Sequence, residues 1–196
     1  MEIMYGSIDA ILSNIQKAVD YIEDDVVEEF ENTIMASKNI FVTGVGRSGL
    51  AAKAFAMRLM HLRYSAYVVG ETISPAINKN DCIIIISGSG ETNTMVKAAE
   101  KARERGAKVL AVTSYPESTI GELSDCCLLV KGRTVQEVDD ENYMKRQIYG
   151  NYTSLTPLGT AFELTTLVFL DALVSELHHR KQAEESESTK IQAVNE

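Results

Sequence analysis

A run of five consecutive apolar residues, Cys82–Ile86, constrains the fold of this chain more than any other segment. A strand with one solvated face alternates apolar and polar residues, so a run without polar positions is typical of a central parallel strand covered on both faces. A polar turn at 78–81 precedes the run, and the loop Ser87–Thr92 follows it. The chain is therefore expected to build a parallel sheet between two layers of helices.

Strand-like and helix-like segments alternate along the rest of the chain. This alternation predicts one α/β domain over 1–182, a three-layer sandwich whose five-stranded parallel sheet is of the flavodoxin or Rossmann type. The polar residues 183–196 predict a disordered tail. The predicted strands are 39–43, 66–69, 82–86, 108–113 and 126–130, and the predicted helices are two within 7–37 and one each at 48–62, 92–105, 118–123 and 157–181.

Charge and apolar content argue against several classes of protein. The net charge is −9, whereas a nucleic-acid binder needs basic patches to meet phosphates, so no nucleic acid is expected as a partner. The longest apolar runs are shorter than a membrane span and the first residues do not resemble a signal peptide, so we expect a cytoplasmic protein without membrane contact. No CxxC pair is present, so we expect buried, reduced cysteines and no metal site; the three cysteines are Cys82, Cys126 and Cys127.

Two loops rich in glycine and hydroxyl groups directly follow predicted strands. Gly44–Gly49 reads Gly-Val-Gly-Arg-Ser-Gly, and Ser87–Thr92 reads Ser-Gly-Ser-Gly-Glu-Thr. Each precedes a predicted helix, whose first N–H groups and dipole favour an anion. Right-handed crossovers bring both loops to one edge of the sheet, so together they predict a site for a small phosphorylated molecule. The residues expected to bind it are Gly46, Arg47, Ser48, Ser87, Gly88, Ser89 and Thr92.

Each loop also has a second interpretation. The segment 44–49 fits the dinucleotide pattern GxGxxG, and Glu71 ends the next strand, where such folds place a ribose-binding acid. Against this, Arg47 and Ser48 add a charge and a hydroxyl that a pyrophosphate turn does not need. The second loop would also stay unexplained, and the remaining chain leaves little room for a substrate domain. The hydroxyls of 87–92 could be helix caps, but capping needs one such residue and this loop has three.

Two further ionisable residues are candidates for proton transfer. Glu163 lies among apolar neighbours in a predicted helix, so its carboxylate lies either on the wet face of that helix or in a pocket, where it could act as a general base. His61 lies at the end of the helix that follows the first loop. A lone histidine is more often structural, but histidine is also the side chain best suited to move protons near neutral pH. The residues alone leave both alternatives open.

These segments together resemble the sugar isomerase (SIS) domain family, and most closely the 6-phospho-3-hexuloisomerases, over about residues 5–182. Two positions depart from that pattern. Arg63 stands where the family usually has glycine, and Leu158 stands where it usually has methionine. The segments that carry the resemblance are 44–49, 53–62, 67–72, 87–92, 112–114 and 157–163, among which 53–62 and 157–163 are the most specific.

The resemblance implies a five-stranded parallel sheet and an enzyme that converts D-arabino-3-hexulose 6-phosphate into fructose 6-phosphate through an enediol. That reaction needs no metal or redox cofactor, and in the family it serves formaldehyde fixation in the ribulose monophosphate pathway. Similar proteins form tetramers with active sites at subunit contacts, so the resemblance implies a homotetramer with shared sites. Alternatives are another sugar-phosphate isomerase, such as one for arabinose 5-phosphate, and a non-catalytic sugar-phosphate sensor.

The family motif and the apolar surroundings make Glu163 the expected base, which carries the proton between C2 and C3. His61 is the expected group that moves protons between the two oxygens. The loops are expected to hold the phosphate, with Arg47 steadying the phosphate or the enediolate charge. Glu71 is expected to bind sugar hydroxyls.

Overall fold

The computed structural model describes residues 1–132 and 161–194. Five strands form one sheet, and all the pairings between neighbouring strands are parallel. The strands are β1 Ile40–Gly44, β2 Ala66–Val68, β3 Cys82–Ile86, β4 Lys108–Thr113 and β5 Cys126–Leu129. The helices are α1 Glu2–Val19, α2 Asp24–Ala36, α3 Arg47–His61, α4 Asn93–Glu104, α5 Thr119–Leu123 and α6 Ala161–Val194.

The two faces of the sheet carry separate apolar cores because successive strand residues point to opposite sides. Even-numbered strand residues such as Val42 and Ile84 pack with buried side chains of α2, α3 and α6. Odd-numbered residues such as Ile83 and Ile85 pack with α4 and α5. The predicted three-layer α/β sandwich is therefore confirmed, and α1 packs outside it against α6.

The strand order β2-β1-β3-β4-β5 creates a switch point between β1 and β3. The chain leaves β1 into α3 on one face of the sheet and leaves β3 into α4 on the other face. In open parallel sheets, ligands bind outside the carboxyl ends of the strands at such a point, where the two connections diverge. The fold thus places both glycine-rich loops beside the expected binding crevice.

Glycine and serine mark the ends of two short elements. Gly106, just after α4, has a φ of +75°, the left-handed conformation that ends a helix and that glycine adopts without strain. Ser118 caps α5, and its hydroxyl oxygen accepts a hydrogen bond from the N–H of Gly121. None of the described helices is both long and apolar enough to cross a membrane.

The ends of the long helices differ from the predicted ones. The first helix begins at Glu2, earlier than the predicted start at 7, and α6 continues to Val194 where a disordered tail is predicted from 183. Residues 183–194 are rich in good helix formers, and extending an existing helix avoids the cost of nucleating a new one. The predicted start of the last helix at 157, and with it Leu158, lies outside the described residues.

The three cysteines are free thiols within or beside the core. Burial raises the pKa of Cys82 and of Cys126 to about 12. Cys127 is half-buried, and its burial also raises the pKa of its thiol. All three are therefore protonated and poorly reactive near neutral pH.

Candidate active site

The two loops begin at neighbouring positions of the sheet. Gly44, the last residue of β1, is the register partner of Ile86, the last residue of β3. The loops therefore leave the same edge side by side, as predicted, and lead to α3 and α4 on opposite faces. This juxtaposition brings two helix N-termini to one crevice, which is an arrangement suited to an anion.

Packing explains two of the three glycines in the first loop, and backbone conformation explains the third. A Cβ on Gly44 would lie 2.8 Å from the backbone carbon of Ser48, and one on Gly49 would lie 2.8 Å from the oxygen of Gly44. These two glycines let the strand end pack directly on the first turn of α3. Gly46 is the N-cap of α3 and has a φ of +62°. It has no side chain to cap the helix, so within the described chain no N-cap side chain occupies the first N–H groups of α3.

The hydroxyls of the second loop do not cap α4 as the alternative interpretation requires. Thr92 is the N-cap of α4, yet within the described chain its side chain makes no capping hydrogen bond. Ser87 is buried, and its hydroxyl oxygen accepts from the N–H of Gly90 at 3.2 Å. The hydroxyl oxygen of Ser89 accepts from the N–H of Glu91 at 3.3 Å. The serines thus shape the loop, and none of the described side chains of this loop caps the N-terminus of α4.

The acidic residue of this loop has a structural role that its sequence pattern does not reveal. Both carboxylate oxygens of Glu91 accept from Thr119, one from its N–H at 2.7 Å and one from its hydroxyl at 2.8 Å. A Cβ on Gly90, whose φ is +66°, would overlap the side chain of Ser118. The loop is therefore fastened to the start of α5, which limits its movement.

The structure brings Glu163 to the first loop. One carboxylate oxygen, Oε2, lies 3.9 Å from Nε of Arg47, and the Glu163 side chain is only 11% exposed while that of Arg47 is 54% exposed. The carboxylate is therefore enclosed near the start of α3 rather than displayed on a wet helix face. Of the two interpretations of Glu163, the geometry favours the pocket.

His61 does not join this group within one chain. It is the last residue of α3, whereas Arg47 is the first, so the two lie about 21 Å apart along the helix axis at 1.5 Å per residue. Its side chain is exposed. Any contact of His61 with a substrate held at Glu163 would therefore need a second subunit.

Glu71 lies in the loop after β2, beside α3. Nζ of Lys53 is 2.8 Å from its Oε1, and this hydrogen bond holds the pKa of the Glu71 carboxyl below its ordinary value. Both residues line a cavity of about 270 Å³ between α3 and β2, together with Met57 and Ile73. The structure thus pairs Glu71 with a lysine, and its predicted contact with sugar hydroxyls stays a prediction.

A larger cavity, of about 600 Å³, lies at the opposite ends of the strands, away from the two loops. It is lined by α2 and by residues at the amino ends of the strands, such as Asn80, Asp81 and Lys108. It contains none of the predicted site residues, so it lies outside the candidate active site. Among the described residues, no group of three or more histidine, cysteine, aspartate or glutamate side chains is arranged to hold a metal ion.

Three buried hydroxyls near these elements were not singled out from the sequence. Tyr115 follows Ser114, whose N–H donates to the carbonyl of Gly88 at 3.3 Å, and Thr165 and Thr166 lie within one turn of Glu163. The hydroxyls of Tyr115 and both threonines have no hydrogen-bond partner in the described part of the chain. Buried polar atoms are nearly always paired, so these hydroxyls are candidates for contacts with water or a ligand.

Comparison with known proteins agrees with this fold. Residues 33–138 match the SIS domain family. A 3-hexulose-6-phosphate isomerase of Bacillus subtilis is 38% identical over 171 residues, which are 87% of each chain. An enzyme of the same name from Methanocaldococcus jannaschii is 37% identical over 157 residues, 80% of this chain and 77% of its own.

A solved structure gives the same result. The crystal structure of a Methanococcus jannaschii protein, for which the function of a 3-hexulose-6-phosphate isomerase was inferred, is 32% identical with a TM-score of 0.71. The match covers 93% of this chain and 95% of that one. Since the family pattern spans more than half of the sequence and the relatives align over most of their length, the chain belongs to the SIS domain family.

Proposed function

We propose that this protein is the sugar-phosphate isomerase that converts D-arabino-3-hexulose 6-phosphate into fructose 6-phosphate. The observation that carries the proposal is the enclosed Glu163 carboxylate, 3.9 Å from Arg47, beside the open N-terminus of α3. A base next to an anion site is what a phosphosugar isomerase requires. The names of the relatives from two organisms support the choice of substrate.

The substrate phosphate binds at the switch point between β1 and β3. The first N–H groups of α3 and α4 point along their helix axes toward that edge, and neither helix has a side-chain cap within the described chain. The hydroxyls of Ser48, Ser87, Ser89 and Thr92 add donors. This mode of binding needs no cluster of cations, which fits a chain with a net charge of −9.

The sugar then extends from the phosphate toward Glu163. The carboxylate removes the proton from C2, and the electron pair of that bond forms the double bond of a 2,3-enediolate as the C3 carbonyl oxygen takes the charge. A proton moves from the oxygen on C2 to the oxygen on C3. Glu163 returns its proton to C3, which leaves the carbonyl at C2. Oxidation at C2 balances reduction at C3, so no external electron acceptor enters the reaction.

Arg47 has two roles in this mechanism. Its guanidinium compensates the charge that develops on the enediolate oxygens, a role that is worth most where water is excluded. It also lies beside the base, so it orients the carboxylate before reaction.

The proton transfer between oxygens is assigned to His61 of a second subunit, because His61 lies about 21 Å along α3 from Arg47 in the same chain. The proposal thus includes a homo-oligomer, a tetramer by family resemblance.

A coupled assay tests the proposed reaction. A separate synthase makes 3-hexulose 6-phosphate from ribulose 5-phosphate and formaldehyde, and fructose 6-phosphate is measured with and without this protein. We expect turnover in the absence of added metal or NAD. Glu163→Gln should lower kcat by about 10²–10⁴-fold, the usual contribution of a general base. The matched control is Glu176→Gln, which changes an exposed glutamate of the same helix and should leave kcat unchanged.

Two results would count against the proposal. A folded Glu163→Gln protein with near wild-type turnover would remove the base from the mechanism. A folded wild-type protein that gives no turnover with the 3-hexulose 6-phosphate would refute the substrate. Arabinose 5-phosphate would then be the next substrate to assay.

A further inference from the structure

The first turn of α6 is clamped between two loops of the sheet edge. Phe162, the residue before Glu163, is 1% exposed. A Cβ built on Gly88, in the loop after β3, would lie 3.0 Å from Cδ1 of the Phe162 ring and 3.2 Å from its Cγ. A Cβ on Gly132, just beyond β5, would overlap the backbone of Phe162. Only glycine therefore fits at either contact without moving the phenylalanine.

This contact gives Gly88 a structural purpose that its sequence pattern does not reveal. The sequence predicts Gly88 as one of the residues that bind the phosphorylated molecule. The structure shows that the space a side chain at Gly88 would need is already filled by the ring of Phe162. The loop that is proposed to hold the phosphate thus packs directly against the residue next to the proposed base.

The clamp limits where the Glu163 carboxylate can lie. The ring is held by Gly88, and the adjacent backbone is held by Gly132, so the start of α6 cannot slide along the sheet edge without a clash. Buried aromatic rings in close-packed surroundings tolerate only small shifts. Arg47 then meets the carboxylate from the α3 side at 3.9 Å.

We propose that Phe162 is a positioning residue, which uses its contact with Gly88 to hold the Glu163 carboxylate at a set distance from the phosphate loop. This inference rests on the proposed function, because it assumes that Glu163 reacts with a phosphate-anchored substrate. The chemical reason is distance: a base that must reach C2 of a sugar anchored by its phosphate works only if the separation between anchor and base is constant. Reaction rates are sensitive to such misplacement, while binding of the distant phosphate is not.

A double-mutant cycle across the contact tests the inference. Gly88→Ala should push the ring by a few tenths of an ångström and lower kcat about tenfold, with KM for the sugar phosphate changed by less than about threefold. Phe162→Leu removes part of the ring and should also lower kcat. The alanine methyl then occupies the space that leucine leaves, so the double variant should have a kcat clearly above the product of the two single effects.

A matched control separates positioning from stability. Phe30→Leu changes an equally buried phenylalanine on α2 and should lower the free energy of unfolding without changing kcat. If Gly88→Ala does not fold, the comparison of Phe162→Leu with Phe30→Leu carries the test alone. Equal kcat values for these two variants would overturn the inference.

Other outcomes also decide the question. If Gly88→Ala raises KM and leaves kcat unchanged, the inference is overturned, and Gly88 instead allows a ligand to approach the backbone. If the two single effects on kcat simply multiply in the double variant, the inference is also overturned. A crystal structure of Gly88→Ala gives a readout apart from activity: we expect a changed separation of Arg47 Nε and Glu163 Oε2. An unchanged separation overturns the positioning role, whereas a wild-type protein without isomerase activity refutes only the proposed function.

Discussion

At the scale of single residues, the ion pair of Arg47 with Glu163 is expected to serve catalysis rather than stability. The Arg47 side chain is 54% exposed although Glu163 is enclosed, and the distance of 3.9 Å is at the outer limit for an ion pair, so we expect the pair to contribute only about 0–1 kcal/mol to folding. Arg47→Gln should therefore lower kcat/KM about 10²-fold, as the loss of a charge-stabilising donor does, while the urea midpoint stays close to that of the wild type.

The chain contains a matched control for that prediction. Arg58 also joins α3 to α6, with its Nε 3.4 Å from Oδ1 of Asp171, but it lies further along both helices. Arg58→Gln removes an ion pair of the same kind and should leave kcat/KM unchanged. Similar kinetic losses in the Arg47 and Arg58 variants would show that Arg47 acts only through helix packing.

Arg63 is the second position where a single residue can be tested. Among the described residues it is the one non-glycine with a positive φ, at +64°. The family resemblance implies a glycine at this position. The left-handed conformation costs a non-glycine residue about 1–2 kcal/mol. Glycine avoids this cost but loses more conformational entropy on folding, which cancels part of the gain. We expect Arg63→Gly to raise the free energy of urea unfolding by about 0.5–1 kcal/mol.

Alanine at the same position separates backbone strain from the loss of the arginine side chain. Arg63→Ala removes that side chain but keeps a Cβ, so it should give no gain in stability. An equal gain in the alanine and glycine variants would mean that the arginine side chain, and not the φ angle, is the unfavourable feature.

At the scale of elements, Asp125 fastens β5 to β4. Its Oδ2 accepts from the N–H of Val109 at 2.8 Å, and Oδ1 accepts from Nζ of Lys108 at 2.9 Å. Burial alone would raise the pKa of Asp125, but the hydrogen bonds from Val109 and Lys108 outweigh it and hold the pKa below its ordinary value.

A lowered pKa in the folded state means that the unfolded chain binds the proton more readily. The stabilisation from Asp125 is therefore fully present above about pH 4, the ordinary value for an aspartate, and is lost as the pH falls through the lower folded value. Asp125→Asn should cost about 1 kcal/mol in urea unfolding at pH 7, and the difference from the wild type should shrink in acid. A difference that is constant down to pH 2 would contradict this assignment.

The elements themselves were largely predictable from the sequence, because they depend on interactions between residues close in sequence. Uniform apolar runs indicate buried strands, and glycine or serine marks the ends of elements. Cys82–Ile86 shows this for a strand, and Gly106 shows it for a helix end. The separation of His61 from the first loop was also available, since a predicted helix at 48–62 is already about 20 Å long. The contact of Gly88 with Phe162 was not, because it joins residues far apart in sequence and depends on how α6 lies on the sheet edge.

At the scale of the whole molecule, one chain presents apolar surface and holds two candidate catalytic residues, His61 and Glu163, far apart. Large apolar side chains are exposed on α1, on α3 and in the loop after β2, including Ile3 at 87%, Leu50 at 68% and Ile73 at 82%. A subunit interface would remove such side chains from water. A symmetric contact that brings His61 of one subunit to Glu163 of another would complete the proposed site.

Subunit complementation tests the shared site directly. His61→Gln and Glu163→Gln should each be inactive alone. When the two are unfolded together and refolded as mixed oligomers, half of the subunit pairs are mixed, and each mixed pair contains one site with both native residues. We therefore expect about a quarter of the wild-type activity if sites form between symmetric pairs.

Mixing either variant with the double variant His61→Gln/Glu163→Gln should restore no activity. Recovery in that control, high activity of His61→Gln alone, or no recovery in the main mixture would each show that His61 and Glu163 do not act across a subunit boundary.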